Sequence, residues 1–180
     1  MKLIPAQPGH LVGAAFGFVF VLLNSTGLGS PGRTIAIVLA ALLAAVVLFA
    51  FIRGGKPARP ENQSTQGYFV IVAIEVVFLF GGLRVINDVE PAAAAAWIAL
   101  VVGMHFVAFS VWWLRGNREM FVIGVLMTVL AVIGLVIAFT QHDESLVDLI
   151  AGFGSGVVLL GSAALYVFGG TKSREKVPSR

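Results

Sequence analysis

Long apolar stretches alternate with short polar ones along the chain, and this alternation is its strongest pattern. Six of the stretches reach or approach the roughly 20 residues that a helix needs to cross the hydrocarbon core of a bilayer. The pattern therefore predicts an all-α protein, a polytopic transmembrane bundle of six helices that forms a single integral membrane domain over residues 1–180 and ends in a basic tail at 170–180. The predicted helices lie at about 10–27, 34–52, 67–87, 92–114, 120–139 and 146–169.

The polar stretches between these helices have the composition of turns. They read "LGSPGR", "RGGKPARPENQSTQG", "DVEP", "RGNRE" and "TQHDES", and are rich in glycine, proline, asparagine and aspartate. Pro91 suits the first turn of the fourth helix, where its missing N–H has no partner to lose. Ser145 followed by Asp148 predicts a capping box that opens the sixth helix.

Two of the predicted helices resemble each other, which suggests an internal repeat. The third and fifth both begin with Phe-Val-Ile and both contain Gly-Leu, at Gly82-Leu83 and Gly134-Leu135. Together with the "GSGVVLLG" run in the sixth helix, these features favour three helical hairpins in pseudo-repeat. In this respect the chain resembles small bacterial six-helix integral membrane proteins of unassigned function, including a three-hairpin type linked to acid stress. That resemblance implies a topology over the whole chain and assigns no functional residue.

Composition changes the picture in two ways. The chain is 58% hydrophobic and 12% charged, whereas soluble domains average about 45–50% apolar and about 25% charged residues. A soluble fold of this size could not bury so much apolar side chain, so lipid is the expected solvent. The sequence contains no cysteine, which excludes disulfides, cysteine-ligated zinc and a thiol nucleophile.

The charge distribution predicts an orientation. Ten of the twelve Lys and Arg residues fall on one predicted side of the membrane. By the positive-inside rule both termini then lie in the cytoplasm of a multi-pass inner-membrane protein, and the net charge of +3 reflects topology rather than nucleic-acid binding. Trp97 at the outer end of the fourth helix, with Trp112 and Trp113 at its inner end, fits an interfacial aromatic belt. The ten are Lys2, Arg53, Lys56, Arg59, Arg115, Arg118, Lys172, Arg174, Lys176 and Arg180.

Small residues recur every fourth position on three of the predicted helices. This spacing clears one helix face for close backbone approach, the usual way in which helices pack in lipid. Packing within one chain is the simpler interpretation, and a dimer interface is the alternative. The residues are Gly9, Gly13 and Gly17, then Ala36, Ala40 and Ala44, then Gly152 and Gly156.

Three polar side chains interrupt the apolar helices at similar depth. At 1.5 Å per residue, Glu75 lies about 12 Å, His105 about 15 Å and Thr128 about 13–14 Å from the inner surface. We expect them to form a polar layer near the midplane. An acidic residue at this depth costs roughly 2.5–3.5 kcal/mol on insertion scales, so it needs a partner inside the bundle. Glu75 and His105 then form either a coupled pair that accepts and releases a proton or a neutral hydrogen bond that only holds helices together.

A second polar group is expected near the outer surface. Arg84 and Asp88 are four residues apart on one helix face, with Asn87 beside them. Either Arg84 extends outward to Asp88, or these residues and the Gly81-Gly82 pair form an outer vestibule for anions or carboxylates. The run of His142, Asp143 and Glu144 is interpreted as a solvated loop, not as a metal site.

These residues allow three hypotheses for function. The first is a proton-linked or small-molecule transporter, or a subunit of one, that uses the midplane layer. The second is a non-transporting stress or accessory protein that acts through contacts with helices, partners or lipids. A lipid-modifying enzyme comes third, because no nucleophile–base constellation is present, and we expect no enzymatic activity, no metal and no cofactor. Membrane lipids, and a second copy or another membrane protein, are the expected partners.

Overall fold

A computed structural model describes residues 4–54, 65–113 and 117–169. Over these residues the chain is helical apart from short links, and the described part contains no strand. The prediction of an all-α bundle of six helices is confirmed. The loops and tail that contain Lys2, Lys56, Arg59 and Arg115, together with residues 170–180 and the side chain of Trp113, lie outside what is described.

The described residues form six helices in succession, and the ends of these helices lie within a few residues of the predicted ones. The fourth and sixth each contain a π-helical segment, a widened turn that often occurs at functional sites. The helices are α1 (Pro8–Asn24), α2 (Gly29–Arg53), α3 (Thr65–Val89), α4 (a 3₁₀ turn Pro91–Ala93, then Ala94–Ala108, then the π-helical Phe109–Trp113), α5 (Arg118–Gln141) and α6 (Glu144–Val147, the π-helical Asp148–Phe153, then Gly154–Gly169).

Five of these helices are long and apolar enough to cross a membrane, so the chain is a membrane protein. The exception is α1, which is apolar but has 17 residues and is therefore about 25 Å long. Large apolar side chains remain exposed along the outside of the bundle, for example Phe16, Leu39 and Phe80. Lipid is the solvent that accommodates such a surface.

The predicted capping box at the start of α6 is wrong. Asp143 is the N-cap, and its carboxylate accepts a hydrogen bond from the Leu146 backbone N–H at 3.0 Å. His142, in the left-handed region at φ 54°, ends α5. The helix therefore begins two residues earlier than Ser145 suggests, because Asp143 already has the extended backbone and the acceptor that an N-cap requires.

Neighbours in sequence are also neighbours in space. The helix pairs α1–α2, α3–α4 and α5–α6 each pack as a hairpin, and α4 packs along α5 while α1 packs along α6. The resulting order across the bundle is α2, α1, α6, α5, α4, α3. Among the described helices α3 makes substantial contact with α4 alone. Only 6% of the most apolar 18-residue stretch of α3 is buried inside the molecule. This leaves α3 as an outlying helix at one edge.

Two apolar cores hold the bundle together. One lies between α4, α5 and α6, where Met127 is fully buried among alanines that include Ala96 and Ala99. The other lies between α1, α2 and α6 and contains Val47 and Leu160. Small side chains dominate both cores, since helices without a hydrophobic force between them associate by close packing.

The glycines predicted to pack are not equivalent. A Cβ at Gly17 would lie 2.9 Å from Leu160 Cγ and 3.0 Å from the Gly156 carbonyl oxygen, so α1 and α6 cross there in backbone contact. A Cβ at Gly13 would meet nothing within 4 Å. A Cβ at Gly9 would touch only the end of Met120, at 3.5 Å.

The other predicted packing residues also lie at helix contacts. Gly152 packs directly on the Asn24 side chain. Ala40 is buried in the core between α1, α2 and α6, with Ala36 and Ala44 partly buried around it. Gly152 lies within the π-helical turn Asp148–Phe153. The helix α6 is therefore locally widened at this contact, and it continues as an α-helix from Gly154.

Candidate binding site between α3 and α4

The centre of α3 carries a carboxylate that meets an imidazole of α4. Glu75 Oε2 lies 2.8 Å from His105 Nδ1, with the two side chains 20% and 16% exposed. Glu75 is about 15 Å from the Thr65 end of its helix, at 1.5 Å per residue. The two groups that lay at one predicted depth are therefore in contact near the middle of the helices.

Two aromatic rings of α4 lie close to the imidazole. Its centroid lies 4.3 Å from that of Phe109 in the π-helical end of α4 and 5.9 Å from that of Phe106. The Glu75 oxygen lies away from the line along which a hydrogen on Nδ1 would point, so the contact is an ion-pair approach and not an aligned hydrogen bond.

The pair borders a groove between α3 and α4. The groove has a volume of about 370 Å³ and, apart from Glu75 and His105, has apolar and aromatic walls. The described residues that line it all belong to α3 and α4, and several of them, including Phe78, Met104 and Trp112, are exposed on the outside of the bundle. The groove therefore opens sideways, toward the lipid.

Trp97 forms one end of this groove and also attaches α3 to α4. Its indole N–H donates to the Phe78 carbonyl at 3.1 Å, and its ring lies directly on Gly82. A second apolar groove of about 420 Å³ continues beyond Trp97, along Gly81 and Val85. Trp97 was expected in an interfacial belt, and the structure also gives it a helix–helix contact. Trp112, at the opposite end of the first groove, is 70% exposed.

Thr128 lies outside this pair, at the contact between α4 and α5. Its hydroxyl donates to the Gly124 carbonyl of its own helix at 2.8 Å, and a Cβ at Gly103 would lie 2.8 Å from that hydroxyl. Gly103 and His105 are two residues apart and so project from nearly opposite faces of α4. The structure thus brings together two of the three residues of the expected layer.

The outer group adopts the simpler of its two expected arrangements. Arg84 Nε lies 3.7 Å from Asp88 Oδ2, with the two side chains 84% and 72% exposed, and Asn87 is also exposed. Gly82 is covered by Trp97, and Arg84 does not line either groove. These residues form an exposed pair along one helix and do not enclose a vestibule.

The other two histidines also meet glutamates, which the sequence analysis did not predict. At one end of the bundle, His142 Nδ1 contacts Glu90 Oε2 and joins the α3–α4 link to the α5–α6 link. At the other end His10 lies 3.7 Å from Glu119. One signal was available: Glu90 and His142 are 52 residues apart, which is the offset at which the third and fifth helices align. We call these the His142 end and the His10 end.

A further contact closes the His10 end. The His10 ring stacks on Tyr166 at 3.8 Å between centroids, and the Ile4 N–H donates to the Val167 carbonyl at 3.1 Å. The start of α1, the start of α5 and the end of α6 are therefore tied together. Across the described residues, no group of three or more His, Asp or Glu side chains is placed to hold a metal ion.

Comparison with known proteins gives no match: no family model fits the chain, and neither a curated protein nor a solved structure is significantly similar to it. The chemistry of the described residues is therefore the guide to function.

Proposed function

We propose that this protein is a small membrane transporter, or the membrane subunit of one, that couples the binding of a small molecule to a proton held by Glu75 and His105. The observation that carries the proposal is the 2.8 Å contact of two ionisable groups on the wall of an open groove at mid-helix. Intramembrane acid–histidine sets are costly to keep and commonly serve as proton relays.

The position of the pair favours this use over simple attachment of helices. A pair that only joins helices is best placed in a tight contact, such as the one at Gly103 and Gly124. Glu75 and His105 border a groove of about 370 Å³ instead. That space gives a ligand direct access to both ionisable groups.

Proton flux into vesicles tests the proposal. Purified protein is reconstituted in liposomes that contain a pH-sensitive dye, and three probes with the same ring are added outside in turn: benzyltrimethylammonium, benzenesulfonate and benzyl alcohol. None of these probes releases or takes up a proton at neutral pH. The probes themselves therefore do not change the internal pH, and a change that depends on the protein reports protons that the protein has moved. We expect one probe to move protons, with the flux lost in Glu75→Gln.

Thr128→Val is the matched control, because the Thr128 hydroxyl bonds to its own helix and lies outside the pair. It should keep the flux of the wild type. Flux that survives Glu75→Gln, or no flux with any of the three probes, would refute the proposal.

A non-transporting accessory protein is the second candidate. It is favoured by the position of α3, which packs only on α4 among the described helices and presents most of its apolar surface outward. In that case the Glu75–His105 pair only attaches α3, which is worth about 0.6–1.7 kcal/mol for a polar contact between helices in a membrane. Glu75→Gln would then change stability slightly and nothing else.

An enzyme acting on lipids remains the third candidate, with less support. Ser155 is fully buried and its hydroxyl has no hydrogen-bond partner in the described structure, while Ser162 donates to the Leu159 carbonyl. A serine nucleophile needs an adjacent base, and neither hydroxyl is paired with one here.

We also propose that the protein resides in a bacterial inner membrane with the His10 end in the cytoplasm. The support is the charge distribution along the sequence, from which ten of the twelve Lys and Arg residues are predicted to lie on that side.

A further inference from the structure

We infer that the groove between α3 and α4 binds a lipophilic monovalent cation in exchange for the single proton that Glu75 and His105 share. This rests on the proposed function and specifies its substrate class. The argument uses the shape of the groove, its charge and the proton balance of the pair.

The walls of the groove define the body of the ligand. They are formed by aliphatic side chains with an aromatic ring at each end, and Glu75 and His105 are the polar groups among them. A ligand that fits has an apolar body and one polar group. Phe78, Trp97 and Trp112 also favour a cation, because the face of an aromatic ring attracts positive charge. The aliphatic residues are Ile71, Ile74, Leu100, Val101, Met104 and Ala108.

The charges of the described residues near the groove favour a cation over an anion. None of the described residues that line it is Lys or Arg, and Arg84 is about 14 Å further along α3 than Glu75 at 1.5 Å per residue. A positive charge on His105 would already be matched by Glu75 at 2.8 Å. A carboxylate, in contrast, accepts a cation directly once His105 has given up the shared proton.

The exchange balances in charge and in atoms. With one shared proton, the pair is either a Glu75 carboxylate with a protonated imidazole at His105 or neutral Glu75 with neutral His105, and its net charge is zero. When the cation binds, that proton leaves for the solvent, the Glu75 carboxylate faces the cation, and His105 is neutral. One cation enters, one proton leaves, and the net charge of the site stays at zero without any redox step.

Few other ionisable groups can contribute to this exchange. Among the described elements, α3 packs on α4 and on its flanking 3₁₀ and π-helical segments, and these contain no described ionisable side chain besides His105. On α3 itself the remaining charged groups are Arg84 and Asp88, which pair with each other. Among the described groups, the cation therefore competes only with the proton that the pair holds.

The lateral opening defines the route of entry. Since the groove faces the outside of the bundle between two helices, a lipophilic cation can reach it from the membrane. Such ligands concentrate in the bilayer, so the site needs no water-filled path for the organic part of its substrate. The proton leaves separately and is the measurable product of binding.

Calorimetry and a pH indicator test the inference on the full chain in detergent, with benzyltrimethylammonium as the probe. We expect one proton to be released for each cation bound. Over the pH range in which the pair is protonated, the apparent Kd should fall tenfold for each unit by which the pH rises. Benzenesulfonate should not bind. Glu75→Gln should abolish binding, whereas Glu90→Gln, which alters the Glu–His pair at the His142 end, should keep it.

A second variant shows whether a loss of binding in Glu75→Gln could come from misfolding instead of from the missing carboxylate. Ala108→Phe fills the groove and leaves both ionisable groups in place, so it should abolish binding while the protein remains folded. Binding without proton release, or binding unchanged by either variant, would overturn the inference.

The vesicle experiment separates the two proposals. If benzenesulfonate or benzyl alcohol drives a Glu75-dependent proton flux and the cation does not, the substrate class is wrong and proton-linked transport stands. If none of the three probes binds or moves protons, both proposals are wrong.

Discussion

Gly81 and Gly82 are neighbours on α3 with different surroundings, and this difference gives a matched pair of substitutions. A Cβ at Gly82 would overlap the Trp97 ring, whereas a Cβ at Gly81 would meet nothing within 4 Å. We expect Gly82→Ala to destabilise the protein by about 1–3 kcal/mol, the usual cost of overpacking. Gly81→Ala should be neutral or stabilising by up to about 1 kcal/mol, since alanine is the better helix former. Denaturation of the detergent-purified variants measures both, and equal effects would contradict this account of Trp97.

Single residues could be placed in depth from the sequence, but not in rotation. The rise per residue is fixed, so Glu75 and His105 were expected at one level, and they meet there. Thr128 is at a similar level but faces Gly103, because the rotation of each helix depends on which faces pack. When apolar residues surround a helix on all sides, the sequence alone does not show which face packs against a neighbouring helix.

At the scale of helices, the glycine repeat of α1 gives a second matched pair. Gly17 is in backbone contact with Gly156, while Gly13 has free space where its Cβ would be. Gly17→Ala should separate α1 from α6 and cost about 1–3 kcal/mol, and Gly13→Ala should leave the free energy of unfolding within about 1 kcal/mol of wild type. Chemical denaturation in detergent measures the two changes. A larger loss for Gly13→Ala would mean that α1 faces the bundle differently.

The small-residue pattern marked packing residues on α1, α2 and α6 without assigning their partners, and it missed the contact between α4 and α5. There a Cβ at Gly124 would lie 2.7 Å from the Gly103 carbonyl oxygen. The signal was present, since Ala95, Ala99 and Gly103 also recur every fourth residue. On α4 this spacing was hard to recognise, because a run of consecutive alanines supplies small residues on every face of the helix.

At the scale of the whole molecule, the absence of cysteine makes topology measurable with single substitutions. Pro5 and Thr26 are exposed on either side of α1, and Arg118 and Gln141 are exposed at the two ends of α5. In intact cells we expect an impermeant maleimide to label Thr26→Cys and Gln141→Cys, and to label Pro5→Cys and Arg118→Cys only after the membrane is opened. Equal labelling of Pro5→Cys and Thr26→Cys in intact cells would mean that the 17-residue α1 does not cross.

The number of helices and their hairpin pairing could be predicted from the sequence, because length and turn composition determine both. The order across the bundle could not. It depends on the contact of α1 with α6, two helices far apart in sequence, and on the outlying position of α3. Such long-range choices depend on the shape of facing surfaces, which composition does not record.

The contact between α1 and α6 also sets the order in which the molecule can be built. Gly17 meets Gly156, and Ile4 meets Val167, only once the sixth helix has been synthesised and inserted. Until then the nascent α1 and α2 have no α6 to pack against in the bilayer. Assembly of this bundle therefore requires that α6 has been translated, and an arrest of synthesis before α6 would leave the α1–α2 hairpin exposed to membrane quality control.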